Sequence, residues 1–302
     1  MTRTLEICVC TYRRPQVAET LASLMKLVQP DGYAVSVLVI DNDDEPSARD
    51  VVERIAQGAP FPLRYVHCPQ GNISIARNGA LTHSTAQLLA FIDDDEVAPS
   101  NWLVHLTQAM KTDQADVVLG PVEAVYPNGA PAWMQRTKIH ATMPVWVDDQ
   151  IITGYTCNVL IDMQSPALRD CRFDLSLGQT GGEDTAFFAK VVAAGGRIAF
   201  ASDALLHETI PPNRVSFAWL LRRRYRMGQT HGRLVAEGGT SARLWAITMC
   251  KVAYCMGAAL LQVADTGRRN KAILRGALHV GALSGLAGGV VLRQYGPDFT
   301  PK

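Results

Sequence analysis

The chain has 302 residues, 48% of them hydrophobic and 19% charged, with 29 Lys or Arg against 28 Asp or Glu and a formal charge of +1. This composition excludes intrinsic disorder and collagen-like repeats, and it leaves core enough for one large domain or two smaller ones. The near-neutral total hides a split after Ile210: residues 1–210 hold 15 basic and 25 acidic side chains, whereas residues 211–302 hold 14 and 3. Such asymmetry predicts two segments with different partners.

Seven cysteines, an odd number, lie mostly in apolar runs and form no C-x-x-C pair. They read as reduced core thiols of a cytosolic protein rather than disulfides or a zinc cluster. The N-terminal Met-Thr-Arg-Thr-Leu-Glu leads into a short apolar run without a small-residue cleavage site, so no secretory signal is expected.

Leu5–Cys10 is an apolar run that ends in Thr11-Tyr12-Arg13-Arg14-Pro15, and residues 16–28 then repeat apolar side chains at helical spacing. Ala34–Ile40 is a β-branched strand ending in Asp41-Asn42-Asp43-Asp44; a helix over 46–57 and a strand over 63–68 follow. Gly71-Asn72-Ile73-Ser74-Ile75-Ala76-Arg77-Asn78-Gly79 opens another helix, and Leu88–Ile92 is a strand that runs into Asp93-Asp94-Asp95-Glu96. Residues 117–125 and 155–162 read as two later strands, 182–194 as a helix, and 197–201 as a strand followed by Leu205-Leu206-His207. Alternating strands and helices predict a mostly parallel sheet with helices on both faces, and ligands collect at the carboxyl ends of such strands. Three strand ends carry polar clusters, and one rim that gathers all three would be a site.

Pro211-Pro212 marks the expected boundary between a domain of residues 1–210 and a basic helical region of residues 211–302. Beyond it come Arg222-Arg223-Arg224-Tyr225-Arg226, a Gly-rich stretch, and two apolar segments, 244–264 and 272–292. Their length suits a bilayer, but Lys251 interrupts the first and Arg275 and His279 the second, at about 2.5–3.5 kcal/mol for each Lys or Arg held mid-membrane. A membrane hairpin, a partly inserted layer and a buried helical subdomain all remain open at this level; the cationic balance favours an anionic lipid surface.

Asp93 and Asp95 share one face at the end of a buried strand, and such oxygen ligands suit Mg²⁺ or Mn²⁺ shared with substrate phosphates. Gly181-Gly182-Glu183-Asp184 opens an apolar helix, where the acids either complement the helix dipole or place a general base beside a closely approaching ligand. His207 is a further candidate metal ligand if others converge on it.

These pieces, in order and spacing, resemble the glycosyltransferase family 2 enzymes of the nucleotide-sugar-dependent GT-A fold, particularly bacterial transferases of exopolysaccharide synthesis. The matching runs are Ile7–Pro15, Val39–Asn42, Ala76–Gly79, Phe91–Asp95 and Gly182–Asp184, covering about residues 3–210. The resemblance implies an α/β fold with a Rossmann-like, mostly parallel sheet flanked by helices, followed by the basic, apolar helical segment. It implies that Thr11, Tyr12, Arg13 and Asp41 line the nucleoside pocket, with Asp93 near the ribose and Arg77 near the nucleotide. Asp95 would be the metal-binding acid of a D-x-D motif, His207 an added ligand for Mg²⁺ or Mn²⁺, and Asp184 the base. Arg214 or the Arg222–Arg226 run would neutralise the leaving diphosphate, and Asn158 and Glu183 would touch acceptor or sugar.

The expected reaction is inverting transfer of one hexose from a nucleotide sugar, a UDP-sugar above others, to a lipid-linked or other saccharide acceptor at the cytoplasmic face of the inner membrane. The chain would sit there as a peripheral or partly inserted protein on an anionic membrane surface, with no nucleic-acid partner. The Gln-x-x-Arg-Trp of processive synthases is missing from residues 217–225, which argues for single transfer. A sugar-phosphate nucleotidyltransferase would carry a glycine in the loop after the first strand, and Thr11–Pro15 has none. A non-catalytic scaffold would have lost a carboxylate, and Asp93, Asp95 and Asp184 are all present.

Overall fold

The computed structural model describes residues 2–290. The elements in chain order are β1 (Arg3–Thr11), α1 (Val17–Leu24), β2 (Tyr33–Asp41), α2 (Arg49–Ala56), β3 (Leu63–His67), α3 (Ile73–His83), β4 (Leu88–Asp93), β5 (Glu96–Val97) and α4 (Trp102–Asp113). They continue with β6 (Val117–Leu119), β7 (Val122–Val125), α5 (Ala132–Thr137), β8 (Trp146–Val147), β9 (Gln150–Ile151), β10 (Asn158–Asp162), α6 (Glu183–Ala193), β11 (Ile198–Phe200) and β12 (Leu206–Thr209). Three long helices close the described chain: α7 (Phe217–Glu237), α8 (Ala242–Leu261) and α9 (Thr266–Leu286).

The main sheet has seven strands in the order β11-β6-β10-β4-β1-β2-β3, all parallel except β10, which runs antiparallel to both its neighbours. The central strands are apolar on both faces because both are covered. On one face Leu5, Ile7 and Val9 pack with Leu21, Leu24, Trp102 and Leu106 of α1 and α4. On the other, Cys8 and Phe91 pack with Ala76 and Ala80 of α3 and with Phe187 and Phe188 of α6. There Phe173 stacks on Phe187 with ring centroids 4.1 Å apart.

Residues 117–125, expected as one strand, are two. Pro121 has no N–H to continue a ladder, and Gly120 lies so close to its neighbours that a Cβ would stand 2.4 Å from the Ala204 carbonyl oxygen. The chain therefore leaves the main sheet after β6 and enters a second sheet, β5-β12-β7, at β7. All seven cysteines are free; Cys8, Cys171 and Cys255 are buried, while Cys250 is exposed on α8 and is not a core thiol.

Of the Gly-rich stretch after the arginine run, Gly228 and Gly232 lie inside α7 and Gly238 and Gly239 follow its end. Gly228 and Gly232 of α7 face Gly281 and Gly285 of α9, each pair four residues apart and so on one helix face. A Cβ at these positions would stand 1.9–2.2 Å from a backbone oxygen of the opposite helix, so the two backbones touch and run in the same direction. Ser216, Ser241 and Asp265 cap the N-termini of α7, α8 and α9 through Trp219, Leu244 and Arg268 N–H groups. A small cluster of Met134, Ile139, Leu220 and Leu274 joins this helical layer to α5, apart from the two main cores. Among the described residues only α8 is long and apolar enough to cross a membrane; α9 begins at Thr266 and includes the charged Lys271 and Arg275. The end of the second apolar segment, Val291 and Leu292, lies outside the described residues.

Candidate functional site

β4, β1 and β2 are neighbours, and their register sets Cys10 beside Asp93 and Thr11 beside Asp41. The three polar strand ends therefore meet at one carboxyl rim. Thr11, 3% exposed, donates from Oγ1 to Asp94 Oδ2 at 2.8 Å and ties the first end to the third. Arg13, at φ +54°, donates from Nε to Asp43 Oδ1 at 2.7 Å, and its guanidinium lies 5.1 Å from the centre of the Tyr12 ring. Burial opposes the Asp43 charge, but hydrogen bonds from Arg13 and Ser47 and the Arg13 charge outweigh it and hold this carboxyl below its usual range.

Asp41 ends β2 beside Thr11 at this rim. It is fully buried; Oδ1 accepts from the Asp43 N–H at 3.1 Å, and Oδ2 from the Ala48 N–H and the Tyr65 hydroxyl, each at 2.8 Å. It shapes the loop that presents Asp43.

The acidic turn after β4 is dense. The Asp93 N–H donates to Glu96 at 3.0 Å, and Glu208 of β12 stands directly across from Glu96. Burial, with the charges of Asp95 and Asp93, pushes Asp94 up to about 7 against the pull of Arg14 and the Thr11 hydrogen bond; burial also raises Asp93, Glu96 and Glu208. Arg14 forms an ion pair with Asp95 and lies 3.6 Å from Asp94, and Arg214 bonds Glu208 at 3.0 Å and reaches Asp95 at 3.9 Å. Among the described residues no three His, Cys, Asp or Glu side chains are gathered into a complete metal cage. Asp94 and Asp95 form the turn after β4, and Asp93 and Asp95 stay close enough for their charges to interact, so they offer the one or two carboxylates that Mg²⁺ or Mn²⁺ takes alongside water and phosphate oxygens.

His207 is not the residue of β12 that faces this cluster. Strand alternation puts it on the opposite face from Glu208, where it pairs in register with Glu123, a carboxyl that Lys138 holds below its usual range with His207 adding to the effect. Glu208, unmarked in the sequence reading, takes the place at the acids; alternation from the apolar Leu206 is the signal that could have found it.

On the far side of the rim, Asn72 caps α3, accepting from the Ser74 N–H at 2.9 Å, and α3 delivers Arg77. Arg77 is 7% exposed, forms an ion pair with Glu183 and lies 5.7 Å over the Phe173 ring. The charges of Glu183, Asp184 and Asp93 outweigh its burial and hold it protonated. Arg77 thus stands between the acidic turn and the first turn of α6, engaged with Glu183. Burial and the adjoining Asp184 push Glu183 up to about 7 against the pull of Arg77. Asp184 is half-exposed, its Oδ1 accepting from the Thr185 N–H at 2.8 Å. Gly181 and Gly182 precede it at φ +88° and +97°, and a Cβ on Gly182 would stand 2.2 Å from the Thr230 methyl, so α7 roofs this turn.

Arg214 does reach the acids, and beyond it Trp219 lies between the guanidinia of Arg214 and Arg223, at 5.8 and 5.2 Å, with His140 stacked at 5.8 Å. Asn158, expected near acceptor or sugar, is fully buried: it accepts from Trp102 Nε1 at 2.9 Å and donates to the Pro121 and Ala204 carbonyls at 2.8 and 2.7 Å. It fastens the switch between the two sheets.

Comparison with known proteins agrees with this architecture. The chain is 49% identical over 295 residues to the succinoglycan biosynthesis protein ExoM of Rhizobium meliloti (strain 1021), covering 97% of this chain and 96% of that one. It is 27% identical over 118 residues to the glycosyltransferase AglE of Haloferax volcanii, covering 38% and 39%. The mannosyltransferase PcManGT of Pyrobaculum calidifontis, solved with GDP-Man and Mn²⁺, superposes with a TM-score of 0.62 at 18% identity over 95% of this chain and 88% of that one. S. aureus TarS 1-349, solved with UDP-GlcNAc, superposes with a TM-score of 0.54 at 16% identity over 96% and 93%. These two share the GT-A fold seen here. Residues 6–168 match the family described as glycosyl transferase family 2, and with the near-full-length relative at 49% identity they establish that the chain belongs to glycosyltransferase family 2.

Proposed function

We propose that the protein transfers a single hexose, with inversion, from a nucleotide sugar of the UDP class to a lipid-linked saccharide acceptor in exopolysaccharide synthesis. One observation carries this reading: Asp93 and Asp95 on one side and Asp184 on the other are brought to the same rim, with Arg77 between Asp93 and Asp184. The ExoM relative supports the exopolysaccharide context, and the ligands of the two solved neighbours support a nucleotide-sugar donor.

In this reading Thr11, Tyr12 and Arg13 border the nucleoside, with Asp41 shaping the wall from beneath. Mg²⁺ or Mn²⁺, held by Asp95 together with Asp93, would offset charge on the donor diphosphate. The acceptor hydroxyl oxygen bonds to the anomeric carbon as the bond from that carbon to the diphosphate oxygen breaks. Asp184 takes the hydroxyl proton, and the electron pair leaves with the diphosphate toward Arg214 and Arg14. The lipid-linked acceptor places the reaction at the cytoplasmic face of the inner membrane.

Calorimetry with UDP, GDP and TDP, each with and without Mn²⁺ or Mg²⁺, tests the donor site. Metal-dependent UDP binding that Asp95→Ala abolishes and Asp184→Asn retains is the expected result. Preference for GDP or TDP would move the donor class, and a folded protein that binds no nucleotide would refute the enzyme reading in favour of a scaffold.

A further inference from the structure

The three C-terminal helices are held unequally. α7 and α9 interlock backbone to backbone through their paired glycines, and Gln229 of α7 donates to Ser284 Oγ at 3.2 Å and to the Val290 carbonyl at 3.0 Å. α8 rests against α9 and buries only Thr248 and Cys255. Its outer side leaves Met249, Tyr254, Met256, Leu260 and Leu261, with Val263 just beyond, between 53% and 88% exposed. Scattered apolar exposure is ordinary on a soluble protein, but a continuous apolar helix face marks a contact surface.

The charges around this face say what covers it. Arg243 in its first turn and Lys251 at its middle are exposed, as are Arg268, Lys271 and Arg275 on α9. The whole segment 211–302 has only 3 acidic residues to set against 14 basic ones. A second copy docked there would bring the same excess of basic side chains to the contact. An anionic lipid surface attracts each basic side chain near it. Orientation follows from the packing. At 20 residues and about 1.5 Å rise each, α8 is long enough to cross a bilayer, but it is packed against α9. Crossing would carry Lys251 to the centre and draw Lys271 and Arg275 in with it. Lying flat sets the apolar side among the acyl chains and lets Lys251 reach the headgroups along its stem.

We propose that α8 is an in-plane membrane helix that embeds its Met256–Leu260–Leu261 side in an anionic bilayer. This deepens the membrane-face part of the proposed function. α7 begins beside the acids at Arg214 and Trp219 and roofs Gly182, so a rigid helix pair links the embedded helix to the site and holds the rim at a set height above the bilayer.

Flotation of the full-length protein with phosphatidylglycerol-containing and pure phosphatidylcholine vesicles tests this, alongside the double variant Met256→Asp/Leu260→Asp. The wild type is expected to float with the anionic vesicles, with the double variant reduced at least tenfold and the calorimetric UDP response unchanged. An environment-sensitive dye on the exposed Cys250 provides a reading that does not depend on the variant's folding, and its emission should shift on anionic vesicles. Equal flotation of wild type and variant, or no flotation and no dye shift, would overturn the proposal without touching the donor site. So would sedimentation velocity without lipid showing a wild-type dimer that the double variant splits, since the face would then meet a second copy.

Discussion

Asn158→Ala is the sharpest test of how the two sheets are held together. The substitution removes an acceptor from Trp102 Nε1 and two donors from the carbonyls of Pro121 and Ala204, all at 2.7–2.9 Å around a side chain with no exposure. Each buried group left without a partner costs about 1–3 kcal/mol, and a water entering the small cavity would recover part of that. The net loss should be about 4 kcal/mol, a fall in Tm of roughly 10 °C for a domain of this size. Urea unfolding at equilibrium, followed by fluorescence, measures it, with UDP calorimetry below the transition as the functional control. Asn158→Asp should be no better, because a carboxylate oxygen would then face two carbonyl oxygens. A loss below about 1 kcal/mol combined with a raised acceptor KM would refute the argument and return Asn158 to a sugar-contacting role.

Other outcomes follow from the same contacts. His140 is 5% exposed, and burial, with the charges of Arg223, Arg214 and Arg224 outweighing its bond to the Arg214 carbonyl, lowers it to about 4. Its neutral form is favoured by folding, so its contribution is present above about pH 6.5 and lost as pH falls through about 4; urea titrations should show about 3 kcal/mol of acid sensitivity that His140→Asn removes. Gly285→Val would push its side chain into the Gln229 carbonyl of α7, where even a Cβ stands at 2.2 Å, and should cost about 1–3 kcal/mol or more and expose residues 217–286 to limited proteolysis. Thr11→Val leaves Asp94 without its 2.8 Å hydrogen bond and should weaken nucleotide binding in calorimetry by loosening the acidic turn, with little change in Tm.

The amino-acid sequence by itself determined the alternation of strands and helices, the apolar core strands, and the polar ends that gather at one rim, because each is a local pattern of side-chain type and spacing. Asp93, Asp95, Glu183 and Asp184 were legible for the same reason: acids directly after a buried strand or at the start of an apolar helix are conspicuous in one dimension. Tertiary structure decided which polar residues face the site and which are enclosed. Asp41 ends β2 and Asn158 starts β10, and only packing shows how their side chains are bonded, to Ala48, Tyr65, Trp102 and Ala204 among others. Glu208 displaced His207 because the register of β12 against β5 sets which alternate side chain meets Glu96. The glycines of α7 lower helix propensity by about 1 kcal/mol each; their value lies in a partner helix some fifty residues away, whose backbone fits only where no Cβ stands. Contacts between distant segments have no signature at a single position, and they decide both how the site is walled and how the last three helices are layered.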